Sequence, residues 1–100
     1  MDDKPILSCS ILALRVAGHK IVTLEGLQEE ASEFAEILVK EGAEQCGFCS
    51  PGFIMTVIAM KKELENPTEE EIKHYLTGNL CRCTGYMGQL RAIKTYMGVK

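Results

Sequence analysis

The stretch Gln45-Cys46-Gly47-Phe48-Cys49-Ser50-Pro51-Gly52-Phe53-Ile54 runs from a paired-cysteine loop into a helix start, and the fold can be read outward from it. Ser50 is a residue type that caps helix N-termini, and Pro51 suits the first helical position, where a missing N–H costs nothing. From Pro51 to Leu64 the chain is apolar on most sides. A helix that is apolar all round is a buried one, so this segment is predicted to be the centre of a helical bundle.

On its N-terminal side, between Gly26 and Gly42, the apolar residues Leu27, Ala31, Phe34 and Leu38 recur at helical spacing among glutamates. This predicts an amphipathic helix closed by a left-handed glycine cap at Gly42. On the C-terminal side, Asn66-Pro67 stops the central helix, and Thr68 with Glu71 has the form of a capping box opening a short third helix through Ile72, Tyr75 and Leu76. A last helix is predicted from Tyr86, Leu90, Ile93 and Met97. The methionines Met55, Met60, Met87 and Met97 fit core packing.

Ahead of these helices, residues 10–24 alternate: Leu12, Leu14 and Val16 share one face, Gly18-His19 interrupts, and Ile21 to Leu24 returns. This predicts a β-hairpin. A lone hairpin is marginal in water, so it is expected to need a covering element, and a homodimer through its exposed edge is one way to supply it. The expected fold is therefore mainly α: a four-helix bundle over 26–100, preceded by a short β-hairpin in 1–25.

Composition bounds the function. An apolar fraction of 46% is that of an ordinary globular domain, and one hundred residues make a core small enough for a metal centre to help staple it. A net charge of -3 lacks the basic footprint of a nucleic-acid binder. The run Phe53 to Met60 is far short of the roughly 20 residues that span a bilayer, and the opening MDDKPILSCS is not a secretory signal. A cytoplasmic protein with neither nucleic-acid nor membrane partners is expected. Five cysteines in such a setting point to metal or redox chemistry rather than a disulfide framework.

Four of them are paired: Cys46 with Cys49 before the central helix, and Cys81 with Cys83 before the last one. Thiolates gain from the backbone N–H groups and positive dipole at helix N-termini, and Arg82 stands between the second two. Four thiolates are the ligand set of a 2Fe-2S cluster, with each pair able to clamp one iron. They are equally the set of a structural zinc site, which would make the chain an assembly module; the one-residue gap at Cys81 and Cys83 is less usual for zinc. A dithiol redox motif at Cys46 and Cys49 would need a strand-helix-strand setting that is absent. His19 and His74 read as solvated, and neither lies in a cysteine loop as a Rieske site would require.

The two motifs Gln45-Cys46-Gly47-Phe48-Cys49-Ser50-Pro51-Gly52 and Gly78-Asn79-Leu80-Cys81-Arg82-Cys83-Thr84-Gly85-Tyr86 resemble the small iron-sulfur subunit of the xanthine dehydrogenase family. The resemblance covers nearly the whole chain. It implies that 26–100 is the family's four-helix domain, with both cysteine pairs meeting on a two-fold-like axis to hold the 2Fe-2S cluster nearest the molybdenum. It also implies that the hairpin of 1–25 is what is left of a ferredoxin-like domain. Cys46, Cys49, Cys81 and Cys83 are then the metal ligands. By the same resemblance Gln45 and Cys83 would lie beside the pterin, Gln45 hydrogen-bonding it through its amide and the Cys83 sulfur serving as the entry point for electrons.

The family hydroxylates aldehydes, purines or other N-heterocycles at a molybdenum-pterin cofactor, or in one branch oxidises carbon monoxide. The resemblance implies that the chain itself is not the catalyst. The resemblance implies that it relays electrons singly from a molybdenum-binding large subunit to a second 2Fe-2S cluster, or to FAD on an FAD-binding subunit. The segment Lys4-Pro5-Ile6-Leu7-Ser8-Cys9 resembles the one carrying the fourth ligand of that second cluster, but the other three ligands are missing from this sequence. Cys9 therefore reads as a free thiol unless another chain completes its site.

Overall fold

The computed structural model describes residues 1–99, which form four α-helices: α1, Gln28–Lys40; α2, Ser50–Glu63; α3, Glu69–Tyr75; and α4, Met87–Met97. α1 packs against both α2 and α4, and α3 lies against α2. The all-apolar segment is central, as its composition predicts: Phe53, Ile54, Thr56, Val57, Ile58 and Met60 are all buried. Thr56 satisfies its hydroxyl by donating to the Gly52 carbonyl one turn back, at 3.0 Å.

Each helix boundary has a local cause. α1 ends where Gly42 takes φ 68°, with the Gly42 N–H donating to the Val39 carbonyl and the Ala43 N–H to the Leu38 carbonyl, both at 3.0 Å. That pair of bonds is a Schellman motif, and it turns Ala43 into the core. The capping box forms as predicted, with the Glu71 N–H donating to Thr68 Oγ1 at 3.2 Å and the Thr68 N–H to Glu71 Oε1 at 3.3 Å. Ser50 is the first helical residue rather than the cap; Cys49 takes the capping position, and the Ser50 hydroxyl donates to Glu44 Oε1 at 3.5 Å instead.

The core is built around Phe34, which is fully buried between two aromatic rings. It meets Phe53 at a centroid distance of 5.8 Å and Tyr96 at 5.1 Å, both edge to face. Leu38, Met60, Ile72, Leu90 and Ile93 close around them. A smaller cluster of Leu27, Ile54 and Ile58, joined by Val22 and Leu24, fastens the end of the N-terminal segment to α2.

The predicted β-hairpin is not formed: among the described residues there is no strand. The segment instead makes 3-10 turns at Ser8–Ser10, Ala13–Val16 and Leu24–Leu27. Alternating Leu12, Leu14 and Val16 would make one apolar face, but nothing stands opposite it, and Leu14 is 92% exposed. Two strands alone bury too little to hold together, so local turns win. The segment's ends are tied by Asp2, whose carboxylate accepts from the Lys20 N–H at 2.9 Å and faces His19 Nδ1 at 2.6 Å. His19 is thus paired rather than merely solvated. With no strand edge among the described residues, the homodimer expected through the hairpin loses its surface.

Two helix assignments also shift. Tyr86, expected on the core face of the last helix, is its exposed N-cap with φ 73°. Met87 is likewise exposed rather than packed in the core.

Candidate metal centre

The two cysteine loops meet at one edge of the bundle. Cys46 and Cys49 lead into the N-terminus of α2, while Cys81 and Cys83 occupy the turn between α3 and α4. The sulfurs associate across the loops rather than within them. Cys83 Sγ donates to Cys46 Sγ at 3.6 Å, and Cys49 and Cys81 lie near enough to shift each other's titration. Spacing along the chain predicts that each loop clamps one metal; the sulfur contact that forms, Cys46 with Cys83, joins the two loops. Among the described residues no three His, Cys, Asp or Glu side chains gather as for a single ion.

Gln45 binds the loops together, its Nε2 donating to the Cys83 carbonyl at 3.3 Å. Tyr86 does the same within the second loop. Its left-handed backbone brings the ring back, so that its hydroxyl accepts the Cys81 N–H at 3.1 Å. Such a conformation is costly for an aromatic residue and is held here by the loop it closes.

Each pair holds one thiol and one thiolate-prone sulfur. Cys81 is drawn down to about 7 by the Thr84 hydroxyl, which donates to its Sγ at 3.2 Å, and by the Thr84 backbone N–H. Its partner Cys49 is pushed up, first by burial and then by the neighbouring Cys81. Cys46 is lowered by the Phe48 backbone N–H and by Cys83, and Cys83 is raised in return. Metal binding takes thiolates, so the site is half prepared before any metal arrives.

The donor set fits a sulfur-ligated cluster. Two thiolates on one tetrahedral metal, at metal–sulfur bonds of about 2.3 Å, lie about 3.8 Å apart. The 3.6 Å between Cys46 and Cys83 is close to that spacing. Two sulfur pairs match two irons better than they match a single ion.

Sequence reasoning misses three residues here. Thr84 stands in it only as part of a motif, Tyr86 as a motif residue and a core position of the last helix, and Gln89 is not singled out. Gln89 is 4% exposed, and its Nε2 points at Cys49 Sγ at 3.8 Å. It sits one position before the core residue Leu90, where helical periodicity assigns a polar residue no role. Cys9 lies apart, exposed, with its sulfur 3.5 Å from Ser10 Oγ. Arg82 is exposed as well.

Large apolar side chains are exposed in the two cysteine loops and at the start of α4. Phe48 is 93% and Leu80 80% exposed, and Tyr86 and Met87 are exposed as well. No helix among the described residues is long and apolar enough to cross a membrane.

Comparison with known proteins agrees with this chemistry. The profile of a 2Fe-2S binding domain matches residues 23–94. A probable xanthine dehydrogenase subunit of Bacillus subtilis is 41% identical over 93 residues, covering 92% of this chain and 54% of the relative. The xanthine dehydrogenase iron-sulfur-binding subunit of Escherichia coli O157:H7 is 48% identical, covering 86% of this chain and 57% of that one. The nicotinate dehydrogenase small FeS subunit of Eubacterium barkeri is 42% identical, covering 83% and 54%. The chain thus spans about half the length of these curated relatives. Nothing in these comparisons supports the zinc reading. The chain belongs to the 2Fe-2S binding domain family represented in the small iron-sulfur subunits of xanthine dehydrogenase-type enzymes.

Proposed function

We propose that Cys46 and Cys83 hold one iron of the cluster and Cys49 and Cys81 the other, and that the chain relays single electrons within a molybdenum hydroxylase. The observation that carries this is the cross-loop sulfur pair at 3.6 Å, the spacing of two ligands on one metal. The cluster supplies one-electron redox chemistry, with its potential tuned by hydrogen bonds to sulfur and by solvent exposure. The rest of the site belongs to the protein: α2 and α4 hold the loops, Gln45 and Tyr86 fix them, and Thr84 and Gln89 donate to sulfur.

The proposed partners are a molybdenum-binding large subunit and an FAD-binding subunit, carrying the molybdenum-pterin cofactor and FAD. Support comes from the relatives, which include subunits of a xanthine dehydrogenase and a nicotinate dehydrogenase. The apolar rim of Phe48, Leu80, Tyr86 and Met87 is a surface suited to burial against such a partner. Gln45 and Cys83, on the exposed side of the site, are the residues proposed to face the pterin. Residues 26–100 are the cluster domain and 1–25 an appended segment. A cytoplasmic setting suits a chain whose five cysteines are all free.

The deciding experiment is anaerobic reconstitution with iron and sulfide, followed by metal analysis and visible spectra before and after dithionite. Two irons per chain and charge-transfer bands that bleach on reduction are expected. A colourless chain holding one zinc would overturn the proposal and leave an assembly module.

A further inference from the structure

The two sulfur pairs differ in their surroundings. The Cys46–Cys83 pair is exposed, and among the described residues the side-chain hydrogen bond it makes is internal to the pair. The Cys49–Cys81 pair is partly buried and receives two side-chain donors from outside: the Thr84 hydroxyl on Cys81 at 3.2 Å and the Gln89 amide on Cys49 at 3.8 Å. Beside it is a cavity of about 20 Å³ lined by Cys49, Phe53, Asn79, Leu80, Cys81 and Gln89, room for no more than one water.

The position of Gln89 calls for a cause. It is buried on α4 between the core residues Ala92, Leu90 and Ile93 on one side and the cysteine loop on the other. Burying a primary amide is costly unless it is hydrogen-bonded, and a neutral thiol is a weak acceptor. An apolar side chain of the same length would pack there at lower cost. A metal-bound thiolate is anionic, and a hydrogen bond to a charged acceptor is about twice as strong as a neutral one. The amide therefore repays its burial only when Cys49 carries negative charge.

We propose that Gln89 and Thr84 are positioning residues that set the reduction potential of the cluster, their N–H and O–H dipoles favouring the extra electron on the iron held by Cys49 and Cys81. This rests on the ligand assignment proposed above. A bound cluster taking one electron from dithionite would pass one iron from ferric to ferrous and increase the negative charge on its sulfurs. Donors already aimed at those sulfurs stabilise the reduced state more than the oxidised one, so they raise the potential.

The test is a potentiometric titration of the reconstituted chain, with iron counted on every sample. Gln89→Met keeps the length of the side chain and removes the donor; Thr84→Val removes the hydroxyl, and Thr84→Ser restores it. Both losses are expected to keep two irons per chain and to lower the equilibrium constant for reduction about tenfold, about 59 mV for one electron. Thr84→Ser should return to the wild-type potential. A variant that holds its cluster at the wild-type potential overturns the assignment of its residue, as does one that cannot hold the cluster at all, since the role is then structural. Failure of the wild type to take up iron would instead overturn the ligand set.

Discussion

Cys46 and Cys83, 37 positions apart in the chain, place their sulfurs 3.6 Å from each other. The contact pairs one cysteine of each loop, and it makes a chemical prediction for the metal-free chain. A disulfide needs the two sulfurs about 2.04 Å apart, a shift that loop side chains can make. Mild oxidation with diamide should link Cys46 to Cys83 and Cys49 to Cys81, read by mass spectrometry of proteolytic fragments. Recovery of Cys46–Cys49 and Cys81–Cys83 links in their place would show that the pairing is within loops.

Iron content should divide the cysteines sharply. Alanine in place of Cys46, Cys49, Cys81 or Cys83 is expected to reduce reconstituted iron to a small fraction of two per chain. Cys9→Ala should leave it unchanged, because Cys9 lies in the exposed N-terminal segment away from the other four. Iron loss with Cys9→Ala would mean that the N-terminal segment reaches the cluster.

Alkylation should reveal the Thr84 hydrogen bond through its pH dependence. The hydroxyl and backbone N–H of Thr84 favour the Cys81 thiolate and bring its pKa from an ordinary 9.0 to about 7. A lowered value means that the reactive thiolate appears as pH rises through about 7. In the metal-free chain the iodoacetamide rate at Cys81 should be half-maximal near that pH, while Cys49, raised by burial, reacts only at higher pH. Thr84→Val should move the Cys81 midpoint upward. An unchanged midpoint would remove the hydroxyl from the account.

Stability should be concentrated in the helices. Phe34 is fully buried between Phe53 and Tyr96, so Phe34→Ala is expected to cost about 3–5 kcal/mol in urea unfolding. Deleting residues 1–20 should cost under about 0.5 kcal/mol, because the first two 3-10 turns contain no buried residue. The deletion stops short of Val22 and Leu24, which pack with Leu27 on α2. A large loss on deletion would show that the segment is docked more firmly than its exposure implies.

Gly88 tests how closely α4 approaches the loop after α1. A Cβ there would stand 3.1 Å from the Ala43 Cβ and 3.3 Å from the Glu41 carbonyl oxygen. Backbone cannot retreat as a flexible side chain can, so Gly88→Val is expected to cost about 1–3 kcal/mol by overpacking. Because Ala43 leads into the Gln45–Cys49 loop, the same variant should weaken iron retention; full retention would show that the cysteine loops do not depend on this contact.

The amino-acid sequence by itself determined the four helices and the identity of the four paired thiols. Those features rest on local causes: the period of Phe34 and Leu38, the Thr68–Glu71 box, the Gly42 cap and the Cys-x-x-Cys and Cys-x-Cys spacings. Only the tertiary structure decided what depends on distant neighbours. Residues 10–24 have strand-like alternation, yet without a third strand the alternation has no face to bury, and turns replace it. Spacing along the chain suggests that each loop clamps its own metal. The docking of α4 on α1 carries the second loop to the first, so Cys46 meets Cys83. Gln89 has a purpose only because that docking places a buried amide on a sulfur 40 positions away, a relation that no local pattern encodes.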